Sequence, residues 1–454
     1  MARQMRRPLV VLLAVLLAAT ACGNAKNSGS GGGGAKVKVP TNGGEANRKV
    51  VKSISDVPGV SDKEIAYAVV GTKQNNPLGI CILDCYANGI KAYFAYRNSQ
   101  GGIYGRKLTI EQTTDDELGK NQSVNLDIIS QKKAFGTFQA GLLQLGWGDL
   151  DQAGVPTYTW GISGGDAANR KAIFPSIVAR CPDCTRRIFP YLAKTVGAKH
   201  AAALGYGTSQ NSQVCADSEA ESFKRYTKES GVSFEYLNDH LTYGLPDGVG
   251  PDVTAMKKAG VDFLATCLDA NGMKTVAQEL KRQGMSNVVL YHLDSYNQSF
   301  ITDAGTLFEG NIVEAQFRPF EADSTGSALD AFRTWMAKQG SPLTELSMVG
   351  WINATLAYQG LLAAGPEFDQ AKVLAATNAM KNFTADGLIP STDWSQAHTP
   401  YTQATRTKFK DSECAADVRV VKGKFTTMAP KDKPWLCWNS QDLTWSEPVP
   451  TNYR

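Results

Sequence analysis

From about residue 63 the chain alternates short apolar, β-branched runs with longer stretches whose apolar residues recur every three to four positions. Residues 65–70 read as a strand, and 86–98 as a helix closed by Gly101-Gly102. Residues 107–112, 134–138 and 155–160 read as further strands, and 120–133 as a helix with Val124, Ile128 and Ile129 inward. The rhythm then restarts, with strands at 201–205, 233–237, 263–267 and 287–291 and helices near 213–230, 251–259 and 271–283. Strands that alternate with helices imply right-handed crossovers and a parallel sheet, so two such blocks imply two sheets. Beyond residue 326 the pattern turns helical (328–339, 348–364, 370–382) and ends in a hairpin-like stretch at 418–426.

The expected architecture is therefore α/β, with two Rossmann-like lobes of parallel sheet joined by hinge crossovers. Lobe 1 is placed at 61–178 with about 312–385 returning to it, and lobe 2 at 179–311 with about 386–428 returning. Residues 429–454 are expected to be a Pro-rich tail laying Trp435, Trp438 and Trp445 on the surface.

The first residues set the compartment. Arg3, Arg6 and Arg7 precede an apolar run of eleven residues, 9–19, followed by small residues before Cys22. That run suits a signal peptide (1–21) and is too short to span a bilayer. Cys22 sits where a bacterial lipobox places the lipidated cysteine, although Ala19 stands where Leu is usual. Residues 22–60 are rich in Gly, Ser, Asn and Lys and read as a flexible tether. Removing the three leader arginines leaves 44 basic residues against 43 acidic, a net charge of +1. Nothing in that balance points to nucleic acid.

Of nine cysteines, assigning Cys22 to a lipid leaves eight, an even number that in an exported chain reads as disulfides. Eight cysteines allow 105 pairings, so the sequence leaves connectivity open; the favoured set is the short local pairs Cys81 with Cys85 and Cys181 with Cys184, then Cys215 with Cys267 and Cys414 with Cys437. The CxxC at 181–184 also invites a redox or zinc reading, but no second CxxC or nearby His completes a metal set.

In open parallel sheets ligands bind beyond the carboxyl ends of the strands. That rule selects Gln74, Gln139, Ala140, Gly141, Gly161 and Ser163 in lobe 1, and Tyr206, Asp269 and Asp294 in lobe 2. Turn formation and helix capping account for the same residue types equally well. Gly161-Ile162-Ser163-Gly164-Gly165 also matches the GxSxG of serine hydrolases, with Asp294 and His398 in that fold's order. The stretch after it, residues 166–171, is too polar for the buried helix that a nucleophile elbow opens.

Gly101-Gly102-Ile103-Tyr104-Gly105-Arg106-Lys107-Leu108, followed by Asp115-Asp116, resembles the GGINGRK…DD stretch of the branched-chain amino-acid-binding protein family. These are the type I periplasmic binding proteins that serve ABC importers, and the resemblance spans most of residues 63–390. It implies that Ser163 helps hold a ligand carboxylate and that Asp294 or a neighbour holds an amine. The family's third-strand hydroxyl falls near Gln139-Ala140 and its lobe 2 aromatic near Asp269, so both positions depart from the pattern. With those departures, another amino acid, an amide or urea derivative, or another small polar compound stays as open as a branched-chain amino acid.

The combined reading is an extracytoplasmic, lipid-anchored, monomeric solute-binding protein that closes on a small molecule and hands it to an ABC permease. It needs no cofactor, metal or catalytic residue. A ligand-sensing subunit of a receptor system is the alternative, and a serine hydrolase using Ser163 is a weaker one.

Overall fold

The computed structural model describes residues 54, 56–161, 167–293, 295–409 and 412–454. The signal segment, Cys22 and most of the tether lie outside these residues. Residues 57–60, expected in the tether, already belong to lobe 1. Gly59 donates its N–H to Lys132 O (3.1 Å) and accepts from Ala66 N (2.8 Å). A Cβ on Gly59 would lie 2.1 Å from Phe135 N, and its φ of +65° suits glycine.

Lobe 1 holds five parallel strands, β1 (Glu64–Gly71), β2 (Lys107–Asp115), β3 (Gly136–Ala140), β4 (Thr157–Thr159) and β5 (Ile173–Pro175), in the order β2-β1-β3-β4-β5. Between them run α1 (Leu83–Ser99), α2 (Asn121–Gln131) and α3 (Trp147–Gln152). β1 is buried along seven of its eight residues, as a central parallel strand covered on both faces should be. The glycine-rich turn after α1 is structural. Gly102 and Gly105 take positive φ (70° and 79°), and buried Arg106 donates from Nε to Ser61 O at 2.6 Å.

Lobe 2 repeats the same winding with β6 (His200–Tyr206), β7 (Ser233–Leu241), β8 (Phe263–Cys267), β9 (Val289–His292) and β10 (Ile312–Ala315), in the order β7-β6-β8-β9-β10. Its helices are α4 (Ile188–Thr195), α5 (Gln210–Ser230), α6 (Gly250–Lys258), α7 (Ala270–Arg282) and α8 (Gln298–Asp303). In α7, Met273, Val276, Ala277 and Leu280 fall at helical spacing and form its buried face. Antiparallel β11 (Ser412–Val421) pairs with β10 and forms a hairpin with β12 (Lys424–Thr427). On β11's other stretch, β13 (Trp435–Asn439) and then β14 (Val449–Thr451) extend the same sheet.

This topology moves three expected boundaries. Ile312 and Val313 pair with β9 and all of 312–315 pairs with β11, so the return to lobe 1 begins after them. Residues 386–398 stay with lobe 1, because Trp394 and His398 pack their rings on Phe174 of β5. The segment 429–454 is not a surface tail, since Trp435 and Trp438 are 2% and 5% exposed within the extended sheet. Alternation along β13 turns Trp435 and Cys437 to one face and Leu436 and Trp438 to the other, and both faces are covered.

The returning segment carries α9 (Leu329–Lys338), α10 (Glu345–Ala364), α11 (Gln370–Asn378) and α12 (Trp394–Ala397). α10 is buried from Glu345 to Leu362, because α1 and α11 pack on it. Two glycines permit the α1–α10 approach. A Cβ on Gly89 would lie 1.8 Å from Ser347 O, and one on Gly350 2.2 Å from Tyr86 O.

The crossovers between lobes are tied together. Arg180, in the first, donates to Thr399 O (2.8 Å) in the third, and its guanidinium lies over Tyr401 and Phe409. Arg187 and Arg406 share the buried carboxylate of Glu413 on β11 (2.7 and 3.2 Å). In the second crossover, Arg318 bonds Gly387 O (2.9 Å), Asp323 O (2.7 Å), Tyr453 O (3.1 Å) and the Asn452 amide. Disulfides join Cys81 to Cys85, Cys181 to Cys184, Cys215 to Cys267 and Cys414 to Cys437.

Candidate ligand-binding cleft

Each sheet reverses its winding beside its first strand, at β1/β3 in lobe 1 and at β6/β8 in lobe 2. In a sheet of this order the ligand crevice opens at the carboxyl ends of that strand pair. In lobe 1 the pair is bridged by Thr72, which is fully buried. Its N–H donates to Ala140 O (3.2 Å), and its hydroxyl donates to Asp116 Oδ1 (2.8 Å) and accepts from Leu142 N (3.0 Å). Asn121 Nδ2 reaches the other oxygen of Asp116 at 3.1 Å. Gly141 has no room for a side chain, since a Cβ would lie 2.5 Å from Asp116 Oδ2.

Asp115 shapes the next loop by accepting from the N–H groups of Lys73 (3.0 Å), Gln74 (3.0 Å) and Glu117 (2.9 Å). Burial raises its pKa, but these backbone donors outweigh it and hold the carboxyl below its usual range. Gln74 is left exposed at the cleft. Gln139 departs from the expectation. It is fully buried and donates to Asn125 Oδ1 and Thr137 Oγ1, both at 2.8 Å. Its side chain therefore braces β3 against α2 and turns away from the cleft. Gly161 follows β4 and packs against the start of the first crossover, where a Cβ would be 2.6 Å from Ile177 O. Ser163 and Asp294 lie outside the described residues.

Lobe 2 brings Tyr206 and Asp269 together across its switch point. The Tyr206 hydroxyl donates to Asp269 Oδ1 at 2.6 Å, and the same oxygen caps α7 by accepting from Gly272 N at 2.9 Å. Gly272 is required there, because a Cβ would lie 2.1 Å from the Tyr206 hydroxyl. Burial and then the Asp269 carboxylate push the Tyr206 pKa upward, so the phenol stays a donor. Tyr243 was missed by sequence reasoning. Its hydroxyl reaches Pro77 O of lobe 1 (2.8 Å) and Asp269 Oδ2 (3.4 Å). β7 runs to Leu241, past the expected end at 237, because it is an edge strand that tolerates the polar Asn238, Asp239 and His240.

Two histidines lie near these strand ends without bonding to the site. His292, on β9, is wholly buried with neither ring nitrogen bonded, and burial lowers its pKa to about 3. His398 is lowered to about 4 by burial and by Lys171. Two groups of sulfur and carboxylate atoms lie close enough to share an ion, Cys181/Asp183/Cys184 and Cys215/Glu219/Cys267. Both use cysteines already joined in disulfides. Among the described residues no helix is long and apolar enough to cross a membrane.

The family model of periplasmic binding proteins matches residues 82–413. The chain belongs to the periplasmic binding protein family. Membership places its work outside the cytoplasm. Solved structures give the type I form of this fold. A branched-chain amino acid ABC transporter protein from Thermus thermophilus, with bound valine, is 14% identical at a TM-score of 0.62, covering 86% of this chain and 97% of its own. A leucine-binding protein from Thermotoga maritima is 13% identical at 0.62, covering 80% and 98%. A fatty acid ABC transporter substrate-binding protein from Thermomonospora curvata is 15% identical at 0.62, covering 86% and 95%. No curated protein matches the chain. The two lobes share one winding, each with its switch point beside its first strand.

Proposed function

We propose that this periplasmic binding protein captures a small polar ligand, an amino acid or amide-like compound, between its lobes and delivers it to an ABC permease. The observation that supports the reading is the pair of switch points, one in each lobe, with Tyr243 of lobe 2, beside Asp269, bonded to Pro77 O of lobe 1. Gln74, Ala140, Gly141, Gly161 and Ser163 offer backbone donors and a hydroxyl to an anionic or carbonyl group. Asp269 and Asp294 of lobe 2 meet an amine. Ligand held first by one lobe gains contacts from the other, so binding shifts an open–closed equilibrium by its differential affinity for the closed state. Cys22 carries the lipid, the tether keeps the monomer near its permease, and no cofactor or catalytic group takes part.

A thermal-shift screen of amino acids, amides, polyamines, sugars and fatty acids tests this, followed by calorimetry on each hit. A true ligand at about 100 times its Kd adds roughly 2.7 kcal/mol to stability. Asp294→Ala should weaken that binding far more than Asp247→Ala, a substitution of an exposed acid. Ester turnover abolished by Ser163→Ala would overturn the transport reading.

A further inference from the structure

The cleft has a fastening of its own at one edge. Tyr243 stands at the end of β7 in lobe 2, partly exposed, and its hydroxyl donates to the backbone carbonyl of Pro77 in lobe 1 at 2.8 Å. Beside it Gly79 of lobe 1 lies so near Asn271 at the start of α7 that a Cβ would be 2.6 Å from its Nδ2. Both halves of this contact are braced before they meet. In lobe 1, Asn76 Nδ2 donates to Ile80 O (2.7 Å), its Oδ1 accepts from Leu78 N (3.0 Å), and the Cys81–Cys85 disulfide fixes the end of the loop. In lobe 2, Tyr206 packs its ring 5.0 Å from that of Tyr243, and Asp269 accepts from both hydroxyls (2.6 and 3.4 Å).

We propose that Tyr243 is a latch that holds the two lobes together across the cleft mouth, and that Tyr206 and Asp269 position it. This rests on the hinge-closure reading above, and it gives Asp269 a part that does not depend on which ligand binds. Asp269 Oδ1 is taken by Gly272 N and the Tyr206 hydroxyl, and Oδ2 lies 3.4 Å from the Tyr243 hydroxyl. Burial and then Asp269 raise the Tyr243 pKa to about 12, so the latch stays a donor across the physiological range.

The latch uses one neutral hydrogen bond plus a steric fit, and such a bond shifts an equilibrium roughly 2- to 12-fold. The test measures inter-lobe distances by pulsed electron resonance on the whole chain, with non-cysteine labels at the exposed residues Lys132 and Lys258. It is run without additive and again with the amino-acid panel. Tyr243→Phe should raise the open-to-closed ratio by that factor while the melting temperature stays within about 1 °C. Gly79→Ala should open the lobes by wedging Asn271, and adding Asn271→Ala should close them again, whereas backbone strain at Gly79 alone would not be relieved. If Tyr243→Phe and Gly79→Ala both leave the distances unchanged, the latch is overturned. If Tyr243→Phe opens the lobes and no panel compound closes them, the latch stands and the amino-acid reading fails.

Discussion

Glu413 is the point at which the crossovers and the last strands of lobe 2 are held by a single charge. Its carboxylate accepts from Arg187 N (2.8 Å) and Arg187 Nη2 (2.7 Å) and from Arg406 Nη2 (3.2 Å). The three side chains are 7%, 1% and 6% exposed, so solvent screens them little. Glu413→Gln keeps the shape and removes the charge, leaving two buried guanidinium groups facing an amide. Removing one partner of a buried ion pair costs about 3–5 kcal/mol. Arg187 keeps its bonds to Asp442 O, Thr444 O and Asn439 O (2.8, 2.9 and 2.7 Å), which places the expected loss toward the lower end. At roughly 2–4 °C per kcal/mol the melting midpoint should fall by at least about 6 °C. Arg187→Met should cost more, because it also takes a donor from three carbonyls, of which Asn439 O keeps the Asp442 N–H at 3.3 Å. Urea unfolding followed by tryptophan fluorescence measures both. A loss under about 1 kcal/mol for Glu413→Gln, the value of an exposed pair, would refute the reasoning.

Three other outcomes follow from the packing. Burial and then Glu314 raise the pKa of both Glu219 and Asp417 well above the carboxylate range, with Arg186 opposing. The folded state therefore keeps protons that the unfolded chain releases, so this part of the stability is full below about pH 4 and declines as pH rises toward the raised values. Urea midpoints from pH 5 to pH 8 should thus fall less steeply in Glu219→Gln than in the native chain, and equal slopes would contradict the assignment. Loop-closure entropy ranks the disulfides. Replacing Cys215 and Cys267, 52 residues apart, should cost about 4 kcal/mol, and replacing Cys181 and Cys184, only 3 apart, about 1.6 kcal/mol. Calorimetric melting of the two double variants gives the order. Gly89→Ala drives a methyl into Ser347 O and should cost about 1–3 kcal/mol or abolish expression, and full stability would disprove the close α1–α10 approach.

Much of the fold was legible because both lobes bury their sheets between helices, which forces strand and helix periods to alternate cleanly. Strand β8 falls at its expected residues for that reason. What stayed hidden was short or polar. β5 is three residues ending in Pro175, too brief for a period, and α4 carries Pro190 in its first turn. β13 and β14 escaped because Pro-rich sequence reads as tail until a partner strand supplies the missing bonds. At the strand ends, the rule named Tyr206 and Asp269, which bond to each other, but could not tell which face Gln139 takes, since β3 is buried on both sides. It missed Tyr243 because β7 outlasts the apolar pattern and puts that residue in the turn beyond Leu241, and Gly272 because only its contact with Tyr206 and Asp269 explains it.

The close fit of α10 against α1 also dictates a chronology. The apolar floor of the first lobe, with Tyr86, Ile90 and Tyr93 of α1, is finished by Met348, Trp351 and Ile352, more than 250 positions later. A growing chain can wind β1 to β5 early, yet it must carry that face uncovered until the second lobe has been synthesised. Such long-range closure slows folding. Until the second lobe arrives, that uncovered apolar face is open to association with other chains.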